Sequence, residues 1–524
     1  MEWKEPTDPR LDPAMPGEKP VIDDSQIKET ITTDVLVLGG GAGGTQAALA
    51  AAEGGAAVIV IDRQSEEHKM YWGEQIGHYN SQFLIDHGCG PYDLDEIVNE
   101  FVAQSAYRAN PKLISQYVYN SGEMFDHMIS LLPEDSTLLN EDQFNIHKAY
   151  GNPTYPIVIG GVKSWAGTVQ FRGDVVTERP DPTTRTRVGA RSRLGELETA
   201  SMNRSRELGA NWMFNTSIVV LVEEEGAVKG AIVKNRDGEY IKILATKGTV
   251  IATGSVGSDI GAKLGLWAGG TFEPTPREHP TPYETARCFG MTSFVSLNKH
   301  GKRFVNESIS YAFSPAIYRQ PKGMVTAVTD SKWSEHIKVN GLQHGNPDFG
   351  QPLYIEQATE DMSHVLEHGA EGYDVRSTSL SEREYEKVWG ANTLEELADY
   401  LGYEGKAKET FLAEIAHYNE MCYAGKDTDF CKDPQTLFPV DQPPYYGFRT
   451  MNRPGNPYSP SIGLNADSDM NVVNADGDPI DGLYVIGDNL GNFFGLFYAT
   501  PCGGVHLGSA MTLGRVLGKK LAAK

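Results

Sequence analysis

The chain has 524 residues, room for two or three domains with sizeable cores, and a formal net charge of −24. That charge argues against nucleic acid and anionic membrane surfaces as partners. Five cysteines, Cys89, Cys288, Cys422, Cys431 and Cys502, form no C-x-x-C, haem-attachment or zinc spacing, so no metal site, cluster or disulfide framework is expected, and any electrons must arrive from outside the chain.

Residues 1–30 are proline-rich and charged, with no apolar core and no twin arginine. They read as a flexible N-terminal extension of a cytoplasmic protein. An exported mature form whose signal has been removed would look the same. Asp34–Leu38 is an apolar strand, Gly39, Gly41 and Gly44 supply G-x-G-x-x-G, Thr45–Glu53 is an alanine-rich helix, and Ala57–Ile61 is a second strand. The first glycine allows a tight turn, the second lets backbone approach a pyrophosphate, and the third lets the helix pack on the sheet. The pyrophosphate then sits at the positive end of the helix. Asp62 closes the second strand where an acidic side chain accepts a ribose hydroxyl. The plain alternative is a glycine-rich turn that binds nothing; the interrupting glycines and the flanking Asp34 and Asp62 argue against a membrane span.

The next stretch, Gly73-Glu74-Gln75-Ile76-Gly77-His78-Tyr79-Asn80, reads as a loop close to a flavin ring or as an ordinary surface loop. His68 and His78 raise a covalent histidyl–flavin bond, with a solvent-facing or packing histidine preferred. Leu94–Leu132 is mostly helical by periodicity. Pro153–Arg193 is a polar, loop-rich insertion carrying Arg172, Arg179, Arg185, Arg187, Arg191 and Arg193, which read as an anion-holding cluster or, preferred because Asp174, Glu178 and Asp181 are interleaved with them, as a solvated surface. Leu194–Leu208 resumes a helix, Asn211–Val222 is a strand, Gly230–Lys234 and Tyr240–Leu244 form a hairpin, and Gly248–Gly254 is a buried strand ending in Thr253-Gly254.

A nucleotide-binding βαβ unit, a β meander and a strand ending in A-T-G describe the larger half of a two-dinucleotide-binding-type flavoprotein, with FAD extended along the strand ends. The expected fold class is therefore α/β: a Rossmann-like, glutathione-reductase-type FAD-binding domain with an inserted α+β capping domain. The FAD-binding parts fall at residues 31–273 and 461–524, and the capping or substrate domain at 274–460. That insertion is richer in aromatics and carries amphipathic helices at Thr393–Leu401 and Lys406–Ala424. The second FAD part brings the strand Gly482–Ile486, then Gly487-Asp488, and the helix Gly504–Ala523. No second G-x-G-x-x-G in a βαβ context appears, so nicotinamide binding is unsupported.

From Thr32 to Leu521 the chain resembles the flavoprotein superfamily of fumarate reductase, succinate dehydrogenase and ketosteroid dehydrogenase. The motifs are GGGAGG with Asp62, VIATG, AGG followed by His279-Pro280-Thr281, GKRFVNE (Gly301–Glu307), NADGDPIDGLYVIGD ending at Asp488, and the terminal GG with TLGRVLGKKL. The resemblance implies Asp488 at the ribityl or pyrophosphate portion, Thr253 and Gly254 on the adenosine side, and Gly503-Gly504 at the flavin ring end. The implied cofactor set is Gly39, Gly41, Gly43, Gly44, Asp62, Arg63, Gly73, Asn80, Ile218, Thr253, Gly254, Asp488, Gly503 and Gly504. Tyr71 falls near the place where covalent members carry their histidine, so non-covalent FAD is expected.

Fumarate-reducing members hold a dicarboxylate with two arginines and two histidines. Here His279 matches one histidine, Asn306-Glu307 leads to Tyr311 instead of the donor arginine, the other arginine's place holds Phe493–Tyr498, and the second histidine's place looks like Tyr458 or Ser459. Tyrosine lacks the forked donors that bind carboxylates bidentately. Tyrosines at these places are similar to the ketosteroid dehydrogenases, where one exchanges a substrate proton and another polarises the ketone; a phenol with a pKa of about 10 suits both tasks. The expected catalytic set is Tyr311, Tyr498 and His279, against packing for the tyrosines and structural hydrogen bonding for His279. Glu284 and Arg287 read as a surface salt bridge and Cys502 as a small packing residue.

The expected function is hydride transfer between flavin N5 and an activated carbon of a CH–CH or C=C bond, with tyrosine as proton donor or acceptor. Phe493, Phe494, Phe497 and Tyr498 suggest a flat apolar substrate such as an enone, steroid or polyphenol. One alternative is a fumarate- or urocanate-type carboxylate reductase using Arg287 or Arg319; another is an FAD-binding electron-transfer subunit without its own substrate. The implied partners are a small-molecule substrate and an external electron donor or acceptor, protein or diffusible.

Overall fold

The computed structural model describes residues 19–524 except 70, 72, 74, 152, 172–192, 255–259, 275–292, 309–315, 317–318, 344–353, 375–386, 452–461 and 495–497. The chain enters along β1 (Ile27–Leu38), turns into the helix Ala42–Glu53 and returns as β2 (Val58–Ile61). Val35–Leu38 and Val58–Ile61 are buried on both faces, as expected of an apolar run in a parallel sheet covered by helices. The turn between them needs its glycines. Gly39 has φ +107°, and a Cβ on Gly44 would lie 1.9 Å from the Gly39 carbonyl oxygen, so the first helical turn rests directly on the strand end.

Three short strands follow as a small antiparallel sheet, β3 (Gln75–Gly77), β4 (Phe144–Ile146) and β7 (Thr168–Phe171), with the hairpin β5 (Ile157–Ile159) and β6 (Val162–Ser164) beside them in sequence. The region expected as loop from Pro153 to Arg193 therefore carries three strands before residue 172. Their apolar residues are too few per strand to show an alternation. Leu94–Leu132 divides into helices Leu94–Gln104 and Pro111–Ser130, parted at Ala106 and Tyr107, whose φ values are 54° and 60°. Asn110 caps the second helix, with Pro111 at its first position.

Asn211–Val222 is likewise two strands, β8 (Asn211–Met213) and β9 (Ser217–Glu224), with Asn215 at φ 51° between them. The opposite correction applies downstream. The second hairpin strand and the buried GTVIATG strand are one element, β11 (Tyr240–Ile251). Its first half pairs antiparallel with β10 (Ala227–Lys234), and its second half pairs parallel with β20 (Pro479–Val485). The main sheet then runs β19 (Asn471–Val473), β20, β11, β1, β2, β8.

β12 (Phe272–Pro274) leads out of this part of the chain and pairs antiparallel with the returning β18 (Ile462–Leu464). Between them, β13 (Val295–Asn298), β14 (Met324–Thr329), β15 (Tyr373–Asp374), β16 (Lys387–Ala391) and β17 (Tyr445–Met451) form an antiparallel sheet in the order 13-14-17-16-15. Helices Leu394–Tyr400 and Gly405–Ala424 pack on it through Leu397, Leu401, Phe411 and Ile415. Under this sheet lies a buried ion cluster. Arg303 donates to Glu307 through Nε (3.1 Å) and Nη2 (2.9 Å) and to Asp427 through Nη2 (2.9 Å), while Lys432 donates to Tyr418 Oη (2.8 Å) and to the Ser293 carbonyl. The C-terminal helix Val505–Ala522 returns to lie against the helix Ala42–Glu53. Among the described residues no helix is long and apolar enough to cross a membrane.

Candidate active site

The expected cofactor residues fall into two groups. At the nucleotide end, Gly41 caps the helix Ala42–Glu53, and a Cβ there would meet nothing within 4 Å, which leaves the helix N-terminus open to a ligand. Asp62 ends β2 with its carboxylate buried: Oδ1 accepts from the Gln64 amide (2.8 Å) and Oδ2 from Lys69 Nζ (2.7 Å). Lys69 also lies 4.5 Å over the Tyr71 ring, and the Tyr71 hydroxyl is 3.4 Å from Thr45 Oγ1. Burial, with the Glu198 carboxyl nearby, holds the Tyr71 phenol well above its ordinary range, so it stays protonated. Arg63 is exposed and Ile218 half-buried on β9. Lys69 had no sequence signal: a lysine in a polar stretch after an acid has no period and no motif.

Behind this end lies Glu198, fully buried with neither carboxylate oxygen hydrogen bonded. Burial pushes its carboxyl up to about 8, against the opposing influence of Gln46 and the charge of Lys69. At neutral pH it is therefore a neutral acid. Gln46 is buried beside it, with its Oε1 also lacking a partner and its Nε2 donating to Ser201 Oγ at 3.0 Å.

At the other end, the β3-β7-β4 sheet backs the first turn of the C-terminal helix. Gly77 N donates to the Gly504 carbonyl at 2.8 Å, Thr168 Oγ1 donates to the Gly503 carbonyl at 2.8 Å, and a Cβ on Gly508 would fall 1.8 Å from the Gly77 oxygen. Gly73 sits over the same turn, where its Cβ would meet Leu507 at 2.9 Å. Gln170 Oε1 accepts from His147 Nε2 (2.9 Å) and from Gln75 Nε2 (3.3 Å), so polar side chains from β3, from β7 and from the residue just after β4 converge beside Gly503. Thr253 Oγ1 donates to Asn489 Oδ1 at 3.3 Å, which ties the end of β11 to the Gly487–Asn489 turn. Asp488 in that turn bonds His506 Nε2 in the first turn of the C-terminal helix. Burial of this pair works against its charges, but each partner outweighs it: Asp488 is held below the usual carboxylate range and His506 above the usual imidazole range. Tyr498 meets His506 edge-on, with ring centroids 6.3 Å apart, and lies 4.6 Å from Phe494.

The expectation that changes is the aromatic run as a substrate surface. Phe493 and Phe494 are core residues, 2% and 6% exposed, packed on Tyr117 and Tyr498, so they form the backing of the site rather than a platform for a flat substrate. The Asn80 side chain is taken up by the Tyr92 backbone, which it meets at 2.7 and 2.9 Å. His78 is a packing residue: both ring nitrogens are hydrogen bonded, the ring stacks 3.9 Å from Phe125, and burial pushes its pKa down to about 3. Cys502 is buried against the Gly167 carbonyl, with its thiol pushed up to about 12 by that burial, in keeping with packing. His279, Tyr311, Phe497, Tyr458, Ser459, Glu284 and Arg287 lie outside the described residues, and Arg319 is exposed. Gln75 belongs to the Gly73–Asn80 stretch read as a loop close to a flavin ring or as a surface loop, whereas His506, His147 and Gln170 were missed. Of the three missed, only His506 had a signal, an ionisable side chain two residues after the paired glycines, at the start of a helix.

The donor set fits a dinucleotide cofactor: an open helix N-terminus over a glycine turn, a buried acid at the end of β2, and a second pair of glycines whose backbone faces polar side chains. Among the described residues no group of His, Cys, Asp and Glu is arranged to hold a metal. A family model described as FAD binding domain matches residues 34–273 and 274–505. The chain is 24% identical over 370 residues to a vinyl phenol reductase of Lactiplantibacillus plantarum, covering 62% of this chain and 71% of that protein. A 3-ketosteroid-Δ4-(5α)-dehydrogenase from Rhodococcus jostii RHA1 superposes with a TM-score of 0.63 at 17% identity, over 96% of this chain and 99% of that one. A flavocytochrome c3 fumarate reductase superposes with a TM-score of 0.56 at 20% identity, over 95% of this chain and 79% of that one. These structures share the fold.

Proposed function

The chain belongs to the FAD-binding domain family, with FAD as its cofactor, and from that premise we propose that it is a reductase or dehydrogenase of a CH–CH or C=C bond in a conjugated, uncharged substrate. Tyr498 carries the proposal: a phenol whose ring meets His506, itself bonded to Asp488, in the loop where fumarate-type enzymes place an arginine for a carboxylate. A phenol can donate to a developing enolate or a carbanion-like carbon without a counter-charge, whereas a dianionic substrate needs forked cations. A vinyl phenol reductase among the relatives fits an uncharged aromatic substrate, and the core packing of Phe493 and Phe494 makes the substrate's shape less constrained than a four-ring platform would.

Bound FAD supplies hydride chemistry at its N5. The helix N-terminus at Gly41 to Gly44 would hold the pyrophosphate, Asp62 the ribose, Thr253 and Gly254 the adenosine side, Asp488 the ribityl chain, and Gly503-Gly504 the ring. Tyr498 holds the proton for the carbon that does not take the hydride, with Tyr311 as its partner at the carbonyl and His279 as a substrate hydrogen bonder. Residues 274–460 serve as the cap that excludes water. Electrons come from an external donor or acceptor.

Tyr498→Phe tests the reading. FAD content stays at the wild-type level, and single-turnover reoxidation of the reduced enzyme by a vinyl phenol or an enone slows by about 10²- to 10⁴-fold. An unchanged rate removes Tyr498 from the chemistry.

A further inference from the structure

Tyr498 can serve repeated turnovers only if its proton is replaced, and the packing around it offers a source. His506 meets the Tyr498 ring edge-on at 6.3 Å, bonds Asp488 through Nε2, and keeps 24% of its side chain exposed. We infer that His506 is a proton-holding residue of the site: its Nε2–H stays on Asp488, its Nδ1 takes up a proton when the flavin is reduced, and that proton goes to Tyr498. The inference rests on FAD binding at Gly503-Gly504 and on Tyr498 as the proton donor.

Three observations support it. First, an imidazolium in the first turn of a helix faces the positive end of the helix dipole, which disfavours it, so a compensating carboxylate is needed, and Asp488 is in direct contact. Second, the pair has a definite tautomer, because the nitrogen on Asp488 carries its hydrogen and leaves Nδ1 as the site that gains and loses a proton. Third, His506 is held above its ordinary range by Asp488, and any further negative charge brought close to it would raise it again. The groups facing His506 among the described residues are Asp488 from the Gly487–Asn489 turn and Tyr498 and Phe494 from the following loop. The β3 strand against the same helical turn brings the uncharged Gln75.

The step balances without further reagents. Tyr498 O–H gives its proton to substrate and becomes a phenolate; Nδ1–H gives its proton to that oxygen and the imidazole becomes neutral; Nδ1 then takes a proton from solvent. On the substrate one C–H bond forms from the pair left at the carbon as the Tyr498 O–H breaks; otherwise only O–H and N–H bonds change, and the relay passes protons without any oxidation or reduction of its own groups.

The test uses FAD-loaded enzyme and no substrate. The enzyme is reduced anaerobically in weak buffer with a pH indicator, protons taken up per flavin are counted across neutral pH, and the flavin reduction potential is followed against pH. Wild type takes up one more proton per flavin than His506→Gln within a window above the ordinary imidazole range, and its potential falls more steeply with pH there. The glutamine keeps an amide donor for Asp488 but cannot titrate. Equal proton counts and parallel potential curves in the two proteins overturn the inference. If the variant loses FAD, the wild-type count decides alone: an uptake that follows only the flavin's own ionisation overturns it, and an additional proton supports it. Because no substrate enters, failure here is separate from failure of the proposed reaction.

Discussion

The main sheet and the antiparallel sheet of residues 295–451 bury their interiors in opposite ways. In the first, Val35–Leu38 of β1, all of β2 and Gly248–Ile251 of β11 are continuously buried and apolar but for Thr249, and the polar groups that matter are backbone, exposed at strand ends and at a helix N-terminus. In the second, the fully buried Arg303 is sandwiched 4.9 Å from both Tyr418 and Phe430 and ion-paired to Glu307 and Asp427, with Lys432 alongside. The difference shows what each part is built to do. Backbone dipoles leave a fixed surface at the strand ends and the helix N-terminus, while buried charges tie the 303–307 and 427–432 loops to Tyr418 on the helix Gly405–Ala424.

Breaking the ion cluster has the largest expected effect. Arg303→Met leaves Asp427 buried without its cation and Glu307 with Lys432 alone, which costs about 3–5 kcal/mol. Urea unfolding followed by tryptophan fluorescence detects that loss, and a change below about 1 kcal/mol means the cluster is not a keystone of this region. In the main sheet the comparable lesion is steric. Gly44→Ala drives a methyl against the Gly39 carbonyl, and FAD affinity falls by more than about tenfold while helix content by circular dichroism is retained. Wild-type FAD affinity in this variant contradicts the packing described for the turn.

Glu198→Gln separates the two modes within the main sheet. Its folded pKa of about 8 lies above the usual carboxylate value, so the folded state binds more protons than the unfolded state between the two. The stability it contributes is present at acid pH and lost as pH rises through about 8. Glutamine removes this slope, of at most about 1.4 kcal/mol per pH unit. A variant as alkali-sensitive as wild type means Glu198 ionises normally.

The same contrast governs what could be read from the chain. The βαβ unit, the Thr253-Gly254 strand end, the Asp488 turn and the terminal helix were legible because glycines and apolar runs report backbone geometry directly. Short strands such as β5 to β7 were not, since three residues cannot display a period. The continuity of β11 was hidden because its two halves differ in environment, one facing a hairpin and the other the parallel sheet. Within the site, motif residues were visible, but the side chains that complete them, Lys69 on Asp62 and His506 on Asp488, are set by tertiary contacts across seven and eighteen positions. Phe493 and Phe494 looked like a substrate surface because an aromatic run is equally good core.

Reoxidation of the anaerobically reduced enzyme, followed by flavin absorbance, tests the account most directly when a vinyl phenol or a simple enone is set against fumarate at equal concentration. The account predicts fast reoxidation by the uncharged conjugated substrate and at least about a hundredfold slower reoxidation by fumarate, which finds no forked cation to hold it. Rapid reoxidation by fumarate with none by the uncharged compounds would contradict it.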